Sequence, residues 1–359
     1  MLRFSNFLFP EAREPALDGQ VIRESLEEAK LCDALGVEVL WLAEHHFDGN
    51  CAYVDPVTFA AAVAACTTRL KIGFAVAQVS LHHPVRLAEQ IALLDNLSEG
   101  RLIVGLGRGT AYNVYEYQGY GLDWREAGPR YAEAEAIMLK AWTSPEGFTH
   151  KGRFWDVQVP RLRPDCFTRP HPTVLRAASS EEGALHLAQR GLPFMMNVQS
   201  LEVTRQRLAA YRAALAAAGH DEAHIARCMA ESWVWRNVVV AETDAEAARI
   251  GIPAFEAMQE QRRKLRERIY AEQGIRMVEE KVPRARVQVE HALITGSPAT
   301  VAERMAEIEA TGVGGVICAF RLGPMPAEAA RESIRLFMTR VAPQFRGKPE
   351  TTAALAAAE

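Results

Sequence analysis

The chain has 359 residues, with 41 Lys and Arg against 45 Asp and Glu, so its formal net charge is −4. Hydrophobic residues make up 49% and charged residues 24%, as in an average soluble globular protein. This balance argues against nucleic-acid binding and against membrane-surface binding driven by overall charge. No stretch approaches the roughly eighteen consecutive apolar residues of a membrane span, and the N-terminal run MLRFSNFLFP lacks the cleavage site of a signal peptide.

Six cysteines are scattered along the chain without any C-x-x-C pair: Cys32, Cys51, Cys66, Cys166, Cys228 and Cys318. Isolated cysteines of this kind are typical of reduced, buried side chains in long proteins that are not secreted. Their spacing matches no metal or redox motif. We therefore expect a cytoplasmic protein and no metal site among them.

Short apolar runs alternate with longer amphipathic segments along almost the whole chain. Strands are predicted at Arg3–Phe9, Val37–Leu42, Leu70–Ala77, Arg101–Leu106, Thr173–Ala178, Pro193–Val198, Met229–Val240 and Gly315–Phe320. Helices are predicted at Val21–Leu35, Pro56–Cys66, Pro84–Leu97, Arg130–Trp142, Ser180–Arg190, Leu201–Ala218, Ala299–Thr311 and Ala327–Val341. The strands are continuous apolar runs, as in a parallel sheet covered by helices. Eight such units predict one (β/α)8 TIM barrel over residues 1–345, followed by a tail at 346–359.

Two segments exceed the minimal barrel repeat. Ser144–Pro172 is rich in proline and aromatic residues and reads as an excursion before the fifth strand. Ile252–Val289 follows the seventh strand and has the charged run QEQRRKLRER at its centre. That run predicts either a solvated helical face or a mobile lid over the barrel mouth, since long insertions in barrel loops often cover active sites.

The active site of such a barrel forms where the strands end, which directs attention to the residues that follow each strand. After the fourth strand, the run GLGRG (105–109) does not fit a dinucleotide loop, because the third glycine of G-x-G-x-x-G would fall at Thr110 and no helix starts there. Glycines at a crowded strand end allow close approach of the backbone instead. Arg108, beside Gly109, is suited to grip a phosphate bidentately.

The segment after the fifth strand has two serines at the start of a predicted helix. Ser179 and Ser180, with Gly183 three residues further on, would present hydroxyl and backbone N–H groups to an anion. An ordinary helix cap is the alternative interpretation of Ser180. Together with Arg108, the segment favours a phosphate site.

His45 and His46 follow the second strand beside Glu44. Adjacent residues of an extended segment point in opposite directions, and no H-x-H or H-E-x-x-H motif occurs, so the pair does not predict a metal site. A histidine at a barrel mouth beside a carboxylate serves either a structural role or acid–base chemistry.

Several of these runs together resemble the bacterial luciferase-like flavin-dependent monooxygenases. The resemblance rests on WLAEHHF (41–47), HHPVRLAEQIALLDNLSEGRLIVGLGRG (82–109) and GVGGVICAF (312–320), and it extends to Arg130 and to GLP (191–193). It covers about residues 1–345 in the same order. The joint occurrence of E-H-H-F, the long H-P-x-R motif and G-x-x-R-G is specific to this family.

The resemblance implies a barrel that binds reduced FMN at its C-terminal face and uses O2 through a flavin C4a-hydroperoxide. By the same resemblance His45 is the catalytic histidine, and Ala75–Val76 carries a non-prolyl cis peptide under the flavin ring. The other implied cofactor-binding residues surround the phosphate: Arg108, Gly109, Arg130, Ser179, Ser180 and Gly183. Ser179 and Gly107 depart from the luciferase catalytic subunit, which argues against light emission from a long-chain aldehyde. The Thr110–Trp124 loop, rich in tyrosine, would either shape the substrate pocket or pack over the rim.

The resemblance also implies partners. No nucleotide-binding fold for NAD(P)H is visible, so we expect a separate flavin reductase to supply the reduced FMN, and a small organic substrate to be oxygenated. The family's usual homodimer would use the helices after the second and third strands, with Phe59–Cys66 as a candidate face. Three alternatives stay open: a deazaflavin-dependent hydride-transfer enzyme on the same fold, a non-catalytic flavin-binding subunit, and a metal-dependent barrel hydrolase, the last disfavoured by the missing H-x-H.

Overall fold

The computed structural model describes residues 1–110, 113–275 and 284–345. Within these residues the strands are β1 (Arg3–Leu8), β2 (Val39–Leu42), β3 (Lys71–Phe74), β4 (Ala77–Gln78), β5 (Leu102–Gly107), β6 (Phe148–Lys151), β7 (Asp156–Val159), β8 (Thr173–Ala178), β9 (Phe194–Met196), β10 (Trp233–Val240), β11 (Leu293–Gly296) and β12 (Gly315–Ala319). The α-helices are α1 (Asp18–Leu35), α2 (Pro56–Cys66), α3 (Pro84–Leu97), α4 (Val114–Gly119), α5 (Ala127–Thr143), α6 (Glu181–Gln189), α7 (Leu201–Ala217), α8 (Glu222–Glu231), α9 (Asp244–Glu272), α10 (Val289–Ala292), α11 (Pro298–Glu309) and α12 (Ala327–Leu336).

Eight strands pair in parallel and close into a ring, which confirms the predicted TIM barrel. The order around the ring is β1, β2, β3, β5, β8, β9, β10 and β12, with β12 pairing back to β1. Helices cover the outside of this ring. Because the strands are all parallel, the residues that follow them meet at one face of the barrel.

The interior of the barrel is packed around two tryptophans, Trp41 and Trp233, whose rings meet edge to face at 5.4 Å. Each ring lies over a glycine of the neighbouring strand. A Cβ added at Gly73 would come within 2.3 Å of the Trp41 ring, and one added at Gly315 within 2.2 Å of the Trp233 ring. Two large side chains therefore fit inside the ring because the facing positions have none.

The predicted seventh strand, Met229–Val240, is wrong at its start. The strand begins at Trp233, because residues 222–231 form helix α8, whose N-terminus is capped by Asp221 through the backbone N–H of His224 at 2.7 Å. Met229 is buried on this helix and not in the sheet. An apolar residue such as Met229 does not by itself distinguish the end of a helix from the start of a strand. The available signal for the helix was Asp221, because Asp commonly caps helix N-termini.

The excursion over 144–172 contains an antiparallel hairpin of β6 and β7, paired from Phe148↔Val159 to Lys151↔Asp156. The Glu133 carboxylate on α5 accepts backbone N–H groups from residues 153–155 at 3.0–3.3 Å, which ties the tip of the hairpin to the barrel's outer layer.

The insertion after the seventh strand begins earlier than predicted. Helix α9 runs unbroken from Asp244 to Glu272, so the predicted boundary at Ile252 falls inside it. The chain then returns through β11, an unpredicted strand that pairs in parallel with β10. Asp244 Oδ1 accepts the backbone N–H of Ser297, just after β11, at 2.6 Å. The two ends of the insertion are thus joined to each other.

Some sequence predictions fall on residues outside those described. They are Tyr112 in the tyrosine-rich loop, residues 276–283 of the insertion and the tail at 346–359. In the part of the chain that the structure describes, no helix is both long and apolar enough to cross a membrane.

Replacing Gly73 tests the packing of the barrel interior. Gly73→Ala should lower the free energy of unfolding by about 1–3 kcal/mol, because the added methyl group overlaps the buried Trp41 ring. Gly128→Ala, in helix α5 with nothing within 4 Å of the added Cβ, is the matched control and should be neutral or stabilising by up to about 1 kcal/mol. Denaturant unfolding of both variants measures this, and equal stability would contradict the tight fit of Trp41.

Candidate functional site

Three alternate glycines let the end of β3 lie directly against β5. A Cβ added at Gly105 would stand 1.8 Å from the Phe74 carbonyl oxygen, and one at Gly107 would stand 2.3 Å from Val76 Cγ2. At Gly109 the nearest atom, Gln78 Oε1, would be 2.0 Å away. The glycines of the GLGRG run therefore allow groups of residues 74–78 to lie directly against the backbone of β5, as the sequence predicts.

The segment held by these glycines contains the predicted Ala75–Val76 pair, and the peptide bond between these residues is cis. The non-prolyl cis peptide implied by the family resemblance is therefore present in the chain. Both residues are only partly buried. The segment therefore leaves part of its surface open at the mouth of the barrel.

The predicted phosphate residues stand at the ends of two neighbouring strands. Pairing of Leu106 with Arg176 aligns β5 with β8, so Arg108 and Ser179 follow side by side. Ser180 caps helix α6, and its Oγ accepts the backbone N–H of Gly183 at 3.1 Å. The helix-cap alternative for Ser180 is thus correct for its oxygen. Its hydroxyl hydrogen and the other N–H groups of the first turn can still serve an anion.

Arg130 lies at the start of α5. Its guanidinium lies over two adjacent rings of the hairpin, 5.0 Å from the Phe154 centroid and 4.7 Å from that of Trp155. Its Nε donates to the carbonyl oxygen of Ser80 at 3.1 Å. The rings and this bond fix the plane of the guanidinium, so its outer N–H groups have a set direction.

Arg108 and Arg130 are brought together at Tyr117. The Tyr117 hydroxyl donates to the Arg108 carbonyl oxygen. Burial raises the pKa of Tyr117, and the charges of both arginines oppose that rise. Burial also lowers the pKa of Arg130, against the opposing charge of Glu126. The charges of Arg108 and Arg130 therefore both act on the Tyr117 hydroxyl.

His45 is half-buried at the end of β2, with one ring nitrogen fully occupied. Its Nδ1 lies 2.9 Å from Oε1 of Glu116 and 3.3 Å from Nδ2 of Asn113. The Phe9 ring meets the imidazole edge to face at 5.3 Å. Burial opposes the charged form of His45, but the Glu116 carboxylate outweighs it and raises the pKa of the imidazole. The Glu116 carboxylate therefore favours protonation of the His45 imidazole.

Glu44 organises the other side of this loop. Its Oε1 accepts hydrogen bonds from Nε2 of His46 at 2.8 Å and of His82 at 2.6 Å, while Oε2 accepts the backbone N–H of Gln78 at 2.6 Å. The Gln78 side chain returns a bond to the Glu44 carbonyl oxygen at 2.7 Å. Glu44 thus joins the segment of His45 to the segment of the cis peptide, and His46 points away from His45, as expected for adjacent extended residues.

The pKa of Glu44 agrees with a carboxylate held by hydrogen bonds from two imidazoles. Burial alone would raise the pKa of its carboxyl, but the hydrogen bonds and charges of His46 and His82 lower it to about 2. Burial likewise opposes protonation of His82, and Glu44 raises the pKa of that imidazole. The described residues contain no group of three His, Cys, Asp or Glu side chains able to hold a metal ion.

Helix α9 lies against the same end of the barrel. Arg262 donates from Nε to Glu11 Oε1 at 2.7 Å and stacks over Phe9 at 5.0 Å, and Gln261 donates to Asn50 Oδ1 at 2.5 Å. The opposite face is solvated, with Arg263 bonded to Glu260 and Glu267 at 2.7 Å. The charged run therefore has the predicted solvated face, and its other face packs against Phe9, Glu11 and Asn50.

Sequence reasoning missed Glu116, Asn113 and Trp155. Glu116 is the one charged residue in the stretch 111–120, an isolated carboxylate among aromatic residues, and that contrast was the available signal. Trp155 gave no signal, because its role depends on a hairpin that folds back onto α5.

Comparison with known proteins agrees with this geometry. The family model described as luciferase-like monooxygenase matches residues 2–315. The chain belongs to this family. Among curated relatives, the oxygenase component of the flavin-dependent trigonelline monooxygenase of Acinetobacter baylyi is 27% identical over 53% of this chain and 52% of the relative. The chain spans about half the length of the curated relatives it matches.

Solved structures extend the likeness over the whole luciferase-like barrel. Monooxygenase RslO1 from Streptomyces bottropensis is 27% identical, with a TM-score of 0.81 over 96% of this chain and 100% of that chain. Two others share the fold. The oxygenating constituent of 3,6-diketocamphane monooxygenase from Pseudomonas putida, in complex with FMN, is 22% identical with a TM-score of 0.75 over 96% and 98% of the two chains. An F420-dependent secondary alcohol dehydrogenase is 15% identical with a TM-score of 0.72 over 96% and 99%.

Replacing Glu44 tests its structural role in the luciferase-like site. Glu44→Gln should lower the free energy of unfolding at pH 7 by about 3–5 kcal/mol, since it breaks a buried ion pair. The folded-state pKa lies below the usual 4.5, so the stabilisation is complete above pH 4.5 and is lost as the pH falls towards 2. The difference between the wild-type protein and the variant should therefore shrink below pH 4.5.

The matched control for this prediction is Glu267→Gln on the solvated face of α9, which should change stability by less than about 0.5 kcal/mol. Denaturant unfolding from about pH 2.5 to pH 8 measures both variants. A constant, small effect of Glu44→Gln would show that the carboxylate does not hold the loop.

Proposed function

We propose that this protein is the oxygenase component of a two-component monooxygenase, which takes reduced FMN from a separate reductase and oxygenates a small organic substrate with O2. The observation that carries the proposal is the parallel pairing of β5 with β8, which puts Arg108 and the Ser180-capped helix α6 at the ends of neighbouring strands. Two guanidiniums, a hydroxyl and free backbone N–H groups form a donor set suited to a phosphate dianion. The named relatives that use flavin support the choice of cofactor.

The residues present fit FMN in three places. Arg108, Arg130, Ser179, Ser180 and the first turn of α6 near Gly183 would hold the phosphate, with Gly109 leaving room for it. Ala75 and Val76, open at the mouth, would support the flavin ring. When bound, reduced FMN would supply the two electrons that reduce O2, one oxygen atom going to the substrate and the other to water.

The chain's own residues would do the rest of the chemistry. His45 would donate a hydrogen bond from Nε2 to the reacting oxygen and so retain it until it passes to the substrate, and it could supply a proton in that transfer. Helix α9 and Phe9 would exclude water from the mouth, which such oxygen chemistry requires. Helix α9 thus serves as the lid that the sequence offered as one interpretation.

We also propose a cytoplasmic homodimer. On α3 the side chains of Leu93 and Leu97, one turn apart, are 51% and 54% exposed. By contrast Phe59, Ala60 and Val63 of α2 are buried in the chain's own core. We therefore place the dimer interface on the exposed leucines of α3 and not on the apolar residues of α2.

Anaerobic titration with reduced FMN tests the proposed cofactor. We expect saturable binding at micromolar concentrations, followed by reoxidation when O2 is admitted. Absence of FMN binding would overturn the proposal. Preferential binding of a deazaflavin would establish hydride transfer in its place, and binding without any reaction with O2 would establish a non-catalytic flavin-binding subunit.

Comparison of FMN with riboflavin tests the phosphate site. Arg108→Ala and Arg130→Met should each weaken FMN binding by about 10- to 100-fold, the cost of a charge-assisted hydrogen bond. Riboflavin has no phosphate, so its affinity should change by less than about threefold. Arg125→Ala, an exposed arginine paired with Asp123, is the control and should change neither. Equal losses for both flavins would place the two arginines away from the phosphate.

Replacing His45 tests its assigned role. His45→Ala should leave the affinity for reduced FMN within about threefold of wild type, because the histidine lies away from the phosphate residues. The rate at which O2 reoxidises the bound flavin should rise by roughly 10- to 100-fold, because the variant loses the charge-assisted hydrogen bond that would retain the reacting oxygen until it passes to the substrate. Stopped-flow absorbance measures the rate, with the exposed His83→Ala as control. An unchanged rate would remove His45 from the mechanism.

A further inference from the structure

Glu116 is a fully buried carboxylate with a direct connection to His45. It lies on the short helix α4, with no exposed surface. Its Oε1 is shared by two groups, the Nδ1 of His45 at 2.9 Å and the backbone N–H of His46 at 3.1 Å. Its Oε2 is buried without a hydrogen-bond partner. A buried carboxylate with so few donors is costly unless a positive charge accompanies it.

The contacts of Glu116 determine which nitrogen of His45 is available. A carboxylate oxygen only accepts hydrogen bonds, so Nδ1 carries the hydrogen that it donates to Oε1, and the amide Nδ2 of Asn113, itself a donor, is then a contact at 3.3 Å and not a hydrogen-bond partner of Nδ1. In the described residues Nε2 of His45 has no hydrogen-bond partner. The hydrogen bond made by one ring nitrogen sets the tautomer and thereby the role of the other.

We propose that Glu116 is a positioning residue that holds Nδ1 of His45 as a hydrogen-bond donor, which fixes the orientation of the imidazole and turns Nε2 towards other partners. The same oxygen that holds the imidazole also holds the backbone at His46, so ring and loop are fixed together. The inference rests on the proposed function, in which Nε2 faces the reacting oxygen. Because Glu116 has no exposed surface, it would act through His45 and not on the cofactor or substrate directly.

Other charged groups around His45 shift its pKa in opposite directions. Asp48, in the loop after β2, adds to the effect of Glu116 and favours the cation, whereas Arg262 on α9 opposes it. Burial also opposes it. The pKa of His45 nevertheless lies above its usual 6.5, so the negative charge of Glu116 outweighs the opposing contributions.

The proposal predicts how His45 titrates in the flavin-free protein. In ¹⁵N-histidine-labelled protein, the ring nitrogen shifts report both the tautomer and the midpoint of titration, and a His45→Gln spectrum assigns the signal. We expect wild-type His45 to titrate above pH 6.5 and to be protonated on Nδ1 when neutral. Glu116→Gln keeps an oxygen acceptor and removes the charge, so the midpoint should fall by about one pH unit or more.

Kinetics in the presence of reduced FMN give a second readout. In Glu116→Gln the pH at which flavin reoxidation accelerates should move down by the same interval, with the affinity for reduced FMN unchanged within about threefold. Glu116→Asp, which keeps the charge on a shorter side chain, should restore a midpoint above that of the Gln variant. Glu28→Gln, another fully buried glutamate, beneath β1 and bonded to Asn6 at 2.7 Å, is the matched control and should leave His45 unchanged.

An unchanged His45 midpoint and tautomer in a folded Glu116→Gln protein would overturn the proposal. So would a shift of equal size in Glu28→Gln. Because the NMR titration needs no flavin, it decides the role of Glu116 even if the protein fails to bind FMN, which would instead refute the proposed function.

Discussion

Close backbone approach between two neighbouring strands is the constraint on which the site depends. Side chains are missing at positions 105, 107 and 109, so the segment from Phe74 to Gln78 can lie directly on β5. This contact brings Ala75–Val76 beside Arg108, and Gln78 extends the contact to Glu44. A larger residue at Gly105 would meet the Phe74 carbonyl oxygen and push the end of β3 away from β5.

Buried carboxylates arrange the polar groups of this site. Glu44 and Glu116 each take bonds from a histidine and from a backbone N–H, so each links a side chain to a loop. Burial of a carboxylate costs free energy that pairing only partly offsets. The hydrogen bonds to these carboxylates also hold two loops without regular secondary structure in position around His45. In these loops the glutamates replace the backbone hydrogen bonds that hold neighbouring strands together.

The barrel was predictable from the sequence because each strand is a short apolar run and each helix has amphipathic spacing. Residues next to strand ends were predictable for the same reason, and the structure places His45, Arg108 and Ser180 there. Contacts between residues far apart in the sequence were not predictable in this way. Glu116 acts on a residue 71 positions away, and Arg130 depends on a hairpin that folds back on it. Strand β11 was missed because its four residues carry no pattern apart from their pairing with β10.

The insertion that contains α9 leaves and rejoins the barrel at a single place. It departs after β10, returns as β11 alongside that same strand, and is joined by the bond between Asp244 and Ser297. Because its ends are already held together, a change in its length adds little loop-closure entropy and leaves the register of the eight strands alone. The insertion is in this sense a separate module, whose length can change without a change in the barrel beneath it.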